Sequence, residues 1–129
     1  MDWLRVAAIV LVSGFVASLT DWLAAGDWIH RRWTYPEVWR ANESRAILAT
    51  SVLPFLTATV FVVVARRLRL ESLPALAKFA FAIWLIAPLP LILTNAAFIK
   101  LHRVFVASYA IGWLVKLWIV ALAIVLIGR

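Results

Sequence analysis

Four long apolar stretches separated by short polar ones take up nearly the whole chain: residues 4–25, 46–65, 74–99 and 104–128. Each reaches the roughly 20 residues that a helix needs to cross a bilayer core. Helices are the expected form, because open strands would leave backbone N–H and C=O groups unpaired in lipid. The pattern predicts an all-α membrane protein, a single four-helix transmembrane bundle in up-down order, with residues 26–45 as an interfacial loop. Pro88 and Pro90 predict a bend in the third span, since each removes an N–H from the helix interior.

Composition strengthens this reading. Hydrophobic residues make up 66% of the 129, and the mean hydropathy is +0.99, well above an ordinary globular domain. The formal charge of +7 would suggest nucleic acid in a soluble chain. Here the basic residues lie mainly in turns and at span ends, where membrane-surface anchoring accounts for them, so the bilayer is the expected partner and nucleic acid is not. Cysteine is absent, which excludes disulfides, thiolate metal sites and thiol redox chemistry. Asp2 ahead of the first stretch and Asp21 close to where a leader would be cut argue for an uncleaved span rather than a signal peptide.

The basic residues that would set orientation tie, six against six. Arg31, Arg32, Arg40, Arg45, Lys100 and Arg103 fall on the face that carries the first loop, and Arg5, Arg66, Arg67, Arg69, Lys78 and Arg129 on the opposite, terminal face. The compact Arg66-Arg67-Leu68-Arg69 run directly after a span favours cytoplasmic termini in the inner (plasma) membrane. The balance also permits dual insertion, with two copies pairing as an antiparallel homodimer.

The polar residues within the spans follow a pattern. Leu19-Thr20-Asp21 recurs as Leu93-Thr94-Asn95, each followed by a His-Arg pair, His30-Arg31 and then His102-Arg103. Arg45 with Ala49-Thr50 matches Arg103 with Ala107-Ser108 in the same order, so the two halves read as a parallel two-helix repeat. Asp21, Thr50, Asn95 and Tyr109 each lie five residues inside the loop face, which places all four about 7 to 8 Å deep. Polar groups at such depth are few and mark binding sites, conduction paths or packing contacts. These four are the candidate ligand- or proton-binding residues. A buried carboxylate needs a cation, several donors or a proton, so Asp21 leads the set.

Helical spacing aims them. Gly14, Ser18, Asp21 and Ala25 share one face of the first span, and Ser108, Gly112 and Lys116 one face of the fourth. Small residues let helices approach and polar ones bond across the contact. Lys116 lies near mid-membrane at the depth of Pro88. Two partners are in reach: carbonyls of Trp84 and Ile86 released by the prolines, or Asp21, about 10 Å shallower by helical rise.

The first loop interleaves charge with Trp28, Trp33, Tyr35 and Trp39. Pro36 suits the first position of a short interfacial helix over residues 36–40, and Trp33 and Trp39 are expected to cover the polar layer or to anchor at the headgroups. Asp27 and His30, spaced i, i+3, are further loop candidates. With His102 they would make a two-His-one-carboxylate set, but His-Arg pairing near headgroups explains them better, and no metal or cofactor is expected. No Gly-rich phosphate loop, HExxH or Ser-His-Asp pattern occurs, so no enzyme is expected either.

Trp84, Leu85, Ala87, Pro88, Thr94, Asn95 and Phe98 in the third span, with Tyr109, Gly112, Leu114 and Val115 in the fourth, resemble a family of small bacterial four-span membrane proteins classed as a domain of unknown function. Trp22 and Trp39 are similar to the aromatic first loop of that family. The resemblance implies a four-helix inner-membrane fold and no particular activity. Two functional readings follow from the residues. One is a small-molecule or ion-binding membrane protein, with proton-coupled transport through Asp21 as its sharper form. The other is a structural or accessory membrane subunit whose polar layer serves helix packing.

Overall fold

The computed structural model describes residues 2–35, 37 and 43–129, with the backbone alone for Ala25, Asp27, His30 and Glu43. Its elements are α1 (Trp3–Ala25), α2 (Asp27–Trp33), α3 (Glu43–Thr50), α4 (Leu53–Arg67), α5 (Leu73–Ile86), α6 (Pro88–Phe98) and α7 (Arg103–Ile127), with no strand among the described residues. Four stretches are long and apolar enough to cross a membrane: Trp3–Ala24, Ser44–Arg67, Leu73–Phe98 and Arg103–Ile127. The chain is an all-α four-helix bundle of the multi-pass membrane type.

Spans one and four are continuous helices. The Asp2 carboxylate caps α1 by accepting from the Leu4 and Arg5 N–H groups at 3.1 and 3.4 Å, and it also pairs with the Arg5 guanidinium at 3.3 Å. At the other end, a Cβ on Gly26 would collide with the Trp22 carbonyl, so glycine permits the sharp exit that sends α2 back along the loop face. In α7 the His102 Nδ1 accepts from the Val104 N–H at 3.2 Å.

Spans two and three are broken. The third bends at Ala87, which joins α5 to α6 immediately before Pro88 with φ −126° and ψ −68°. The bend lies where the prolines predict it. The second break, between α3 and α4 at Ser51–Val52, has a similar cause. Pro54 has no N–H to offer the Thr50 carbonyl four residues back. The Thr50 and Ser51 hydroxyls meanwhile bond to the Ala46 and Leu48 carbonyls at 2.7 Å each, a pattern that loosens a helix. The proposed repeat is therefore uneven, since the first half breaks its second helix and the second half its first.

Packing follows from these breaks. The antiparallel pair α1 and α7 makes the largest helix contact, α4 packs mainly on α1, and α5 and α6 pack on α7. A core of Val6 and Ile9 from α1, Phe61 and Val62 from α4, Leu76 from α5 and Leu117 and Val120 from α7 fills the half of the bundle nearer the terminal face. Toward the loop face α1 and α7 stay apposed, and α6 packs on α7. Among the described residues helix α3 forms no extended contact with another element, and residues 44–53 are exposed along its length and through the break.

Candidate functional site

The polar face of α7 meets α1. Ser108, Gly112 and Lys116 recur every fourth residue, so they rise along one side of the helix. The Ser108 hydroxyl donates to the Ala24 carbonyl at 2.7 Å. Gly112 follows, and a Cβ there would come within 2.5 Å of the Ala24 methyl, which is how the two backbones approach closely enough for the bonds on either side. One turn deeper, Lys116 Nζ stands 2.6 Å from Asp21 Oδ1.

This ion pair is lopsided. The Lys116 side chain is 5% exposed and that of Asp21 41%. Lys116 also places its ammonium 3.9 Å from the centre of the Trp113 ring, so a carboxylate and an aromatic face together compensate the buried cation. Tyr109 lies within electrostatic reach of Asp21. Its ring stacks on Phe105, with centroids 5.6 Å apart. Asp21, Tyr109, Trp113 and Lys116 thus form one cluster on two helices.

The expected four-helix polar layer does not assemble. Thr50 is exposed on α3 and its hydroxyl is taken by its own helix. Asn95 is exposed on α6, off the Leu89, Ile92 and Ala96 side that approaches the bundle, and α6 makes no extended contact with α1. Counting residues gives a level in the membrane, but it does not give the direction a side chain takes round its helix. For Thr50 the Pro54 break adds a second reason. The level itself also shifts: Ala24 lies against Ser108 and Gly112, about one helical turn deeper on α7 than equal spacing from the loop face places it. That shift brings Asp21 within reach of Lys116, whose partner is the carboxylate rather than a proline-released carbonyl.

On the loop side, Trp33 is half-buried with its ring 4.8 Å from that of His102. His102 precedes Lys116 by fourteen residues, about 20 Å of helical rise, so Trp33 covers the entrance to α7 rather than the ion pair. Asp27 and His30 lie in α2 with side chains outside those described. Trp39 lies outside the described residues, and of the expected helix over residues 36–40 only Glu37 is described, exposed and in a 3-10 turn. Earlier in the same loop α2 forms a helix held by the buried Ile29. Among the described residues no three His, Cys, Asp or Glu side chains gather as a metal site would require.

One tie was not anticipated. The Trp84 indole N–H donates to the Ala110 carbonyl at 2.8 Å, linking α5 to α7 near the depth of the cluster. Tryptophan in a span usually suggests an interfacial anchor. Its signal here was proximity to Pro88, which marks the part of span three that lies near mid-membrane. Cavities border the bundle among the described residues. A wholly apolar one of about 160 Å³ lies around Thr57, Phe61, Phe79 and Leu117, and a groove of about 500 Å³ runs between α6 and α7. Neither includes Asp21 or Lys116. No protein-family model, characterised protein or solved structure matches the chain.

Proposed function

We propose that this protein is a structural or accessory subunit of a bacterial inner membrane, non-enzymatic, with α1 and α7 as its rigid axis and both termini cytoplasmic. The observation that carries this reading is the direct 2.6 Å pair between Asp21 and Lys116. The two charges compensate each other across a helix contact already made close by Gly112 and Ser108. The setting is supported by the Arg66 to Arg69 run after span two and by the resemblance to small bacterial four-span proteins.

A second reading, binding and carriage of an ion, proton or small molecule, is favoured by one fact. Asp21 keeps 41% of its side chain exposed on a helix whose expected neighbour, α3, has moved away. A carboxylate so placed is reachable from that side.

Paired substitutions separate the two. Asp21→Asn leaves Lys116 buried without a counter-charge and is expected to cost about 3 kcal/mol, the lower end of the range for a broken buried pair because Asp21 is partly exposed. The double variant Asp21→Asn, Lys116→Met removes both charges and should recover most of that loss. Unfolding in mild detergent titrated with dodecyl sulfate measures both. Pyranine-loaded proteoliposomes test the rival: dissipation of a pH gradient by the wild type, lost in the folded double variant, would replace the scaffold by a carrier.

A further inference from the structure

The groove between α6 and α7 has a composition that a helix contact alone does not explain. Its walls are Leu93 and Ala96 from α6 and Val106, Ala107 and Ala110 from α7, and at its loop-face end stands Arg103. The bend at Ala87 directs α6 along this path. Three alanines then leave about 500 Å³ open where larger side chains would have closed the seam, a volume within the range of small-molecule sites. From Arg103 to Ala110 the groove runs about 10 Å into the hydrocarbon by helical rise.

Its charge is as one-sided as its lining. Arg103 is exposed and has no acidic partner among the described residues. Lys100 is exposed in the same short turn, and residues 99–103 contain no acid. An apolar trough inside the membrane that opens at a free guanidinium on the membrane boundary complements a molecule with an apolar tail and an anionic head. A protein helix in the groove would need an acidic residue at that one level, whereas a phospholipid places its phosphate there by construction. Guanidinium binds phosphate through two parallel hydrogen bonds, and basic residues between spans attract anionic headgroups.

We infer that the α6–α7 groove seats one acyl chain of an anionic phospholipid whose phosphate is held by Arg103. The site is independent of the Asp21–Lys116 pair and stands whether the protein is a scaffold or a carrier. By wedging between α6 and α7, the lipid fills the seam that the bend at Ala87 leaves open.

Native mass spectrometry of the protein released from detergent containing equal phosphatidylglycerol and phosphatidylcholine tests this. The wild type should retain one phosphatidylglycerol in about five-fold preference, the factor expected for one basic residue near the surface. Arg103→Ala should abolish the preference. Ala107→Trp, with Arg103 intact, should lose retained lipid of both kinds because the indole occupies the trough, and Leu93→Trp should do the same from the opposite wall. Arg67→Ala, on the terminal face, should change nothing. Equal retention of the two lipids by the wild type overturns the inference, as does a preference that survives Arg103→Ala. So does lipid retention by both tryptophan variants when circular dichroism shows them folded, or an equal loss in Arg67→Ala.

Discussion

The half of the bundle near the terminal face and the half near the loop face are built from the same four spans, yet they pack differently. In the terminal half α4 and α5 join α1 and α7, and a single core runs through Ile9, Val62, Leu76 and Val120, all with no exposed surface. In the loop half α3 leaves the bundle and α6 packs on α7 beside an open groove, so the α1–α7 contact is the main support of that half. Polar residues of the core half, such as Ser13 and Thr59, bond only within their own helices. Asp21, Ser108, Tyr109, Thr50 and Asn95 all belong to the loop half, and Lys116 reaches up to it from the edge of the core. Where lipid and core are equally apolar, helices associate through packing, small residues and interhelical hydrogen bonds rather than through a hydrophobic gradient. The terminal half relies on interlocked side chains. The loop half relies on a glycine contact and polar ties between two helices.

After the loss expected at Asp21, the largest effect comes from removing packing in the terminal half. Phe61 is 3% exposed and its ring lies 5.1 Å from that of Phe79. Phe61→Ala should cost roughly 2 to 3 kcal/mol in a dodecyl sulfate titration, less than in a soluble core because lipid offers the ring a comparable apolar environment. A loss below about 1 kcal/mol would mean that the terminal half is no better packed than the loop half.

Close approach, rather than side-chain volume, is the test in the loop half. Gly112→Val should cost about 1 to 2 kcal/mol by overpacking against Ala24, and Ala24→Gly in the same chain should return part of it. Absence of coupling between the two changes, measured as a double-mutant cycle, would separate α1 from α7 at this level.

Restoring the broken helix has a smaller energetic effect and a larger geometric one. Pro54→Ala supplies the N–H that the Thr50 carbonyl lacks, and stability should change by less than about 1 kcal/mol. The distance between spin labels at Ser18 and Leu48, read by pulsed electron resonance, should shorten as α3 swings onto α1. An unchanged distance would assign the divergence of α3 to something other than Pro54. The smallest effects are expected at the polar residues outside the cluster. Asn95→Leu and Thr50→Val should each lie within about 0.5 kcal/mol of wild type, since neither side chain bonds to another helix. A cost above 1 kcal/mol at either would restore it to a shared polar layer.

Much of the fold was readable from the residues because hydrocarbon imposes simple demands. Spans must be apolar and of a set length, and their backbones must be helical. Prolines interrupt them where an N–H is missing. The four spans, the bend before Pro88 and the alignment of Ser108, Gly112 and Lys116 on one face followed from those demands acting within single helices. What followed from no single helix was register and azimuth. Equal depth placed Thr50 and Asn95 beside Asp21, but the helix breaks and the packing of α6 on α7 leave both exposed. A slide of about one turn between α1 and α7, set by Gly112 seating on Ala24, brought Lys116 to Asp21. Such choices depend on how two side-chain surfaces fit, and that fit is decided only when the helices meet.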